Sequence, residues 1–196
     1  MRAIVLCLVL GSAQLFAQSA LSRTSPSGTA PAFEATVGYV FMSTTSAGAP
    51  RLNLWGVNGN GVLQFRPRWG AMADFMFARA SSVPGTGHSD KVLSGLFGPQ
   101  FLLIDRRAQN VFVHALAGVA VVDSAVLASS TSEVTGYATH FSYALGGGTE
   151  LTLHGPFAVR FTGDYQRTKF VNSRLVSVPQ NNLRVSAGLV VRFGSR

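Results

Sequence analysis

From residue 31 to the C-terminus, apolar residues alternate with polar or small ones, and this period of two limits what the chain can become. Successive side chains of a β-strand point to opposite faces, so each such segment has one apolar face and one polar or small face. Phe33, Ala35, Val37, Tyr39 and Phe41 share one face, opposite Glu34, Thr36 and Gly38. Near the C-terminus, Phe157, Val159, Phe161 and Tyr165 alternate with Ala158, Arg160, Thr162, Asp164 and Gln166. Leu183, Val185, Ala187, Leu189, Val191 and Phe193 alternate with Asn182, Arg184, Ser186 and Arg192.

Eight segments carry the pattern, approximately 32–42, 52–65, 70–80, 91–104, 111–123, 139–153, 157–169 and 182–193. Each reaches the ~9–11 residues that a tilted strand needs to cross a bilayer. The second segment contains Asn58-Gly59-Asn60-Gly61, so a short hairpin is the competing reading there. Short connections (Arg66–Trp69, Asp105–Asn110, His154–Pro156) alternate with longer ones (Ser43–Arg51, Ser81–Asp90, Ser124–Ala138, Phe170–Asn181). Short periplasmic turns alternating with longer outer loops is the layout of an outer-membrane barrel.

No segment after the leader approaches ~18 uninterrupted apolar residues, so a membrane-embedded body must be a closed barrel rather than helices. Charged residues make up 12% of the chain and hydrophobic ones 47%. Soluble domains carry about a quarter charged residues. The formal net charge is +8, but the lysines and arginines are dispersed over presumed turns and strand ends, among them Arg51, Arg66, Arg68, Arg79, Lys91, Arg106, Arg107 and Lys169. Contact with anionic lipid headgroups accounts for them better than nucleic-acid binding, and no nucleic-acid partner is expected.

The N-terminus reads as a secretory signal peptide over residues 1–17: Met1-Arg2 is positive, Ala3–Leu10 is almost wholly apolar, and small residues follow. Cleavage after Ala17 is expected, with Ala20 as the alternative. Residues 18–30 are rich in Ser, Thr, Pro and Gly and read as a flexible tail, which leaves 31–194 as the barrel domain. Cys7 is the only cysteine and lies in the leader, so the exported chain would have no disulfide and no thiolate site.

Alternation alone does not say which face meets the core. Of the 19 aromatic residues beyond the leader, 17 have odd numbers, the exceptions being Phe112 and Phe170. They cluster toward segment ends. Phe33, Phe65, Trp69, Phe101, Phe157 and Phe193 would mark one membrane interface, and Phe41, Trp55, Phe77, Phe141 and Tyr165 the other. An eight-stranded interior is too narrow for so many rings. The mid-segment ionisable groups Glu34, Asp74, His114, Glu150, Arg160, Asp164, Arg184 and Arg192 all fall on the opposite face, among small residues. Four acids face three arginines and one histidine, a set that can pair inside a crowded lumen. No wide channel is expected.

The stretches "RWGAMADF", "FGPQF", "VFVHALAGVA", "ALGGGTEL", "AVRFTGDYQRTKF" and "NNLRVSAGLVVRFG" resemble the strands of the small outer-membrane barrels grouped with OmpA and OmpX, over about residues 31–194. The resemblance implies an all-β, eight-stranded antiparallel up-and-down transmembrane β-barrel in the cell outer membrane, without a cofactor. It also implies insertion by the outer-membrane assembly machinery, which reads a final strand ending in an aromatic. Phe193 fits that role, although Gly194-Ser195-Arg196 follow it. No peptidoglycan-binding domain is expected after the barrel.

No P-loop, HExxH, GxSxG or Cys/His zinc pattern is present. Gly146-Gly147-Gly148 lies inside a strand pattern and reads as room for bulky lumen groups. His140 and Ser142 share one face, with Glu150 further along, and faintly resemble the His-x-Ser element of outer-membrane lipid A deacylases. That element should face lipid, whereas these two face the lumen. Glu150 lies ~26 Å beyond Ser142 along a straight strand. His114 reads as a satisfied lumen residue, and His88 and His154 as solvated ones. The expected function is a structural or surface-interaction role carried by the outer loops, Ser124–Ala138 foremost, toward a ligand the sequence does not name, and no catalysis is expected. The alternatives are a lipid-modifying enzyme using His140 and Ser142, a narrow pore, and a soluble ligand-carrying barrel.

Overall fold

The computed structural model describes residues 33–45, 51–80, 90–129, 132–171 and 177–193. The leader and tail expected over 1–17 and 18–30 lie outside the described residues. The regular elements are β1 (Phe33–Thr45), β2 (Leu52–Gln64), β3 (Trp69–Arg79), β4 (Lys91–Asp105), β5 (Gln109–Ser129), β6 (Ser132–Thr152), β7 (Phe157–Val171) and β8 (Ser177–Phe193). Each strand pairs antiparallel with the next, and β8 pairs with β1 to close the barrel. The fold is an up-and-down eight-stranded barrel.

The register sets its shape. Starting at Ala35 and stepping across partners through Gly61, Ala73, Phe97, Ala117, Tyr143, Arg167 and Asn181 leads back to β1 at Thr45. The circuit therefore returns ten residues further along β1. Such a stagger over eight strands tilts them by roughly 40° and leaves an interior that side chains fill.

The short turns lie at one end and are tightly tied. Arg66 and Trp69 exchange backbone hydrogen bonds, as do Arg106 and Gln109. In the third turn Gly155 has φ of 59°, a left-handed conformation that glycine adopts without steric cost. Turn carbonyls also bind neighbouring strands: Leu102 donates to Arg68, Thr152 to Ala108 and Arg192 to Pro156.

Two connections differ from the sequence reading. Ser124–Ala138 was expected as the longest loop, but β5 and β6 continue through it as a hairpin, with Ser124 opposite Gly136 and Leu127 opposite Glu133. Phe170–Asn181 is likewise shortened, because β7 and β8 stay paired to Val171 and Ser177. Both stretches mix Ser and other polar residues with Val, which reads as loop by polarity, yet Val suits strands and the facing strand supplies hydrogen bonds. The hairpin alternative for Asn58–Gly61 does not form. Gly59 is paired with Val37 on one side and Phe75 on the other, so tertiary pairing overrides the local turn signal.

The glycine run in β6 serves close approach. A Cβ on Gly146 would lie 2.1 Å from Asp164 Oδ1, and one on Gly148 would lie 2.1 Å from the Phe161 carbonyl oxygen and 2.9 Å from Phe112 Cζ. Gly148→Leu is expected to destabilise the barrel by about 1–3 kcal/mol through overpacking. A lowered midpoint of urea unfolding in lipid vesicles would show it, and an unchanged midpoint would contradict this packing.

Candidate functional site

The wall and the lumen have inverted polarity relative to a soluble barrel. Large apolar side chains cover the outside: Val37 is 73% exposed, Phe75 65%, Phe97 63% and Leu189 63%. A contiguous belt of this kind is a surface made for an apolar medium. Phe33, Trp55, Phe65, Trp69, Phe77, Phe141, Phe157, Tyr165 and Phe193 are all exposed, and Phe41 and Phe101 are half-buried on the same outer face. At the short-turn end, Phe33 lies 6.0 Å from Phe193 and Trp69 4.9 Å from Phe101, ring centre to ring centre. At the other end Trp55 packs between Tyr39 at 5.9 Å and Phe41 at 4.4 Å. These eleven aromatics therefore lie on the outer wall, with ring contacts at both of its ends.

Inside, two ionic layers bridge the lumen. The first is centred on Arg160 of β7, which is 2% exposed. Its Nη2 donates to Glu34 Oε2 at 2.5 Å and to Glu150 Oε2 at 2.6 Å, its Nε donates to Glu150 Oε2 at 2.9 Å, and its Nη1 donates to Asn60 Oδ1 at 2.8 Å. Those partners stand on β1, β6 and β2, so one side chain spans the barrel. Arg192 closes the layer toward the turns, donating to Glu150 Oε1 and Thr152 Oγ1 and lying 3.6 Å from Glu34 Oε1. Phe112 lies beneath the Arg160 guanidinium at 5.0 Å, which stacks a cation on a ring face.

The second layer is centred on Arg184 of β8, 1% exposed. It donates to Asp164 Oδ2 from Nε at 2.7 Å and to Asp74 Oδ1 on β3, across the lumen, at 2.5 Å. His114 of β5 donates from Nε2 to the other Asp164 oxygen at 2.7 Å. All eight ionisable groups thus point inward and fall into two clusters, Glu34, Glu150, Arg160 and Arg192 in one and Asp74, His114, Asp164 and Arg184 in the other.

The arrangement does not build a nucleophile. Ser142 donates to the Arg167 carbonyl oxygen at 3.1 Å and accepts from Gln166 Nε2 at 3.2 Å. Glu150 is held by two arginines in the first layer. His140 Nε2 is buried without a hydrogen-bond partner among the described residues. His140, Ser142 and Glu150 therefore form no relay in this conformation.

No family model matches the chain, and no curated protein matches its sequence. Solved structures do. Neisserial surface protein A is similar over 83% of this chain and 97% of its own, with a TM-score of 0.66 at 13% identity. Ail, the attachment invasion locus protein of Yersinia pestis, in complex with the heparin analogue sucrose octasulfate, matches 81% of this chain and 97% of its own, with a TM-score of 0.53 at 20% identity. A further Ail crystal structure covers 84% of this chain and 99% of its own, with a TM-score of 0.52 at 20% identity.

This is the fold of the small outer-membrane β-barrels. Within that frame, the lumen holds more than its charges. Val40, Met42, Leu54, Met76, Ala78, Ala80, Val92 and Val122 form a buried apolar cluster at the end away from the short turns. Val62, Met72, Leu96, Leu116 and Ala144 form another. The parity that marked the lumen charges marks these residues too, since all carry even numbers. Asn60 joins the first layer as a hydrogen-bond acceptor for Arg160, a role that its place in the Asn58–Gly61 turn signal does not reveal.

Removing Arg160 takes from Glu34 and Glu150 the more deeply buried of the two cations they share, leaving Arg192 alone, and breaking a buried pair from one side costs about 3–5 kcal/mol. Arg160→Met is therefore expected to lower the urea-unfolding free energy in vesicles by that order. Arg192→Met, at a side chain 15% exposed and near the turns, is expected to cost clearly less. Equal effects would contradict the assignment of Arg160 as the central strut.

Proposed function

We propose that the chain is an outer-membrane barrel with a structural or surface-interaction role, exported by the signal peptide over 1–17. In this reading the short turns face the periplasm and the opposite end faces outward. The observation that carries it is the β5–β6 hairpin. The pairing of β4 with β5 ends at Lys91 and Asp123, and the pairing of β6 with β7 ends at Tyr143 and Arg167. Beyond those levels, among the described residues, Ser124–Leu127 pair only with Glu133–Gly136. A hairpin that outruns the neighbouring strands offers backbone to a partner, as loops on a scaffold do elsewhere.

The belt of exposed apolar residues supports contact with outer-membrane lipids, and the ring contacts at both ends of the wall support roles as interfacial girdles. Phe193 ends the last strand in the place where the assembly machinery would read it. The bridged lumen supports a closed frame rather than a narrow pore, and the outward aromatics argue against a soluble ligand carrier. The occupied hydrogen bonds of Ser142 argue against the lipid-modifying alternative, which His140→Ala would test through the mass of lipid A.

In a Gram-negative host the protein is expected in the outer-membrane fraction, with faster gel migration before boiling in SDS than after. A soluble periplasmic product without a shift would overturn the membrane reading. In planar bilayers the wild type is expected to give no single-channel current.

Replacing 124–138 with a tight turn is expected to keep the heat-dependent shift and abolish surface attachment. The Ail complex makes immobilised heparin a first probe for retention of expressing cells. On any surface that retains the full chain, undiminished retention of the shortened variant would move the role away from the hairpin.

A further inference from the structure

Two neighbouring short turns carry a concentration of cations that the lumen does not use. The β2–β3 turn holds Arg66, Pro67 and Arg68, and the β4–β5 turn holds Arg106 and Arg107. All four arginines are exposed, and among the described residues none of their guanidinium groups makes an ion pair. Asp105 is the one acid beside them. The third turn at this end, His154–Pro156, has no lysine or arginine, so the charge occupies one sector of the rim.

The same sector has an unusual outer wall. The backbone hydrogen bond from Leu102 to the Arg68 carbonyl oxygen, 2.9 Å, holds the first turn against β4. Immediately beyond it, β4 shifts register between Leu102 and Ile104. The extra residue breaks the alternation, so Leu103 and Ile104 are both exposed, at 50% and 40%. Phe65 and Trp69 are exposed beside them, 48% and 43%. Unpaired guanidinium groups thus stand directly beyond a patch of outward apolar side chains.

We infer that this sector is a binding site for an anionic phospholipid. The arginines would take the headgroup phosphate, which guanidinium recognises through paired N–H donors. Leu103, Ile104, Phe65 and Trp69 would meet the acyl chains. The site rests on the membrane-barrel reading and, given the proposed orientation, lies in the periplasmic leaflet. Juxtaposed basic and apolar groups at a membrane interface favour anionic over zwitterionic lipid.

Trp69 reports on the site directly. Trp55→Phe leaves it the only tryptophan of the chain. That protein would be refolded into phosphatidylcholine vesicles containing a minority of lipid brominated on its acyl chains, either phosphatidylglycerol or phosphatidylcholine. Bromine on the chains quenches indole by contact, so the readout is lipid and not free phosphate. At equal mole fraction, brominated phosphatidylglycerol is expected to show about threefold higher local occupancy than brominated phosphatidylcholine. The ratio is expected to fall to parity with Arg66, Arg68, Arg106 and Arg107 all changed to Gln, and to fall with added salt in the unmodified rim. The salt series tests the site even if the fourfold variant does not fold. A ratio of one in the starting protein, or a preference untouched by both salt and the arginine changes, would overturn the site. Absence of quenching by either brominated lipid would instead show that the barrel is not embedded, which is a failure of the membrane reading.

Discussion

Closure of the backbone hydrogen-bond ladder is the constraint from which the rest of this molecule follows. A wall that faces hydrocarbon cannot leave N–H and C=O groups unpaired, because no water is there to satisfy them. The pairing of β8 with β1 removes the two edges that an open sheet would have. Once eight strands close with a stagger of ten residues, the tilt and the diameter are decided together, and so is the amount of space inside.

That space is filled in layers, and each layer answers to the narrowness of the barrel. A charge inside it has little water to fall back on, so it needs a partner within reach. Arg160 and Arg184 are long enough to reach the far wall. Each therefore neutralises acids that stand on other strands, Glu34 and Glu150 for the first, Asp74 and Asp164 for the second. The glycines at 146 and 148 make room for Asp164 and Phe112. Where charges give out, Met42, Leu54 and Met76 take their place. The result is a frame whose interior is occupied, which leaves its ends and its outer wall as the surfaces open to contact.

Much of this was legible in the chain because strand periodicity is a local property. Parity assigned every lumen charge and nearly every outer aromatic to a face, and Phe112, one of the two even-numbered exceptions, is buried in the lumen beside Arg160. What periodicity could not report was who meets whom. The contact of Arg160 with Asn60 joins residues 100 apart in sequence, and that of Arg184 with Asp74 joins residues 110 apart. The loop reading of 124–138 failed for a related reason. Polarity describes a side chain's environment, whereas a hairpin forms when a facing strand supplies hydrogen bonds, and β5 and β6 face each other there.

The chain's own pattern therefore sets the strand count and the two faces of each strand, which depend on alternation alone, and the placement of aromatics against pairable charges tells which face turns inward. The tertiary structure decided the register, and with it the two ionic layers, the reach of the β5–β6 hairpin and the gathering of four arginines on adjacent turns. Register is a property of neighbouring strands: sliding one strand along its partner leaves its own pattern intact while changing every contact it makes.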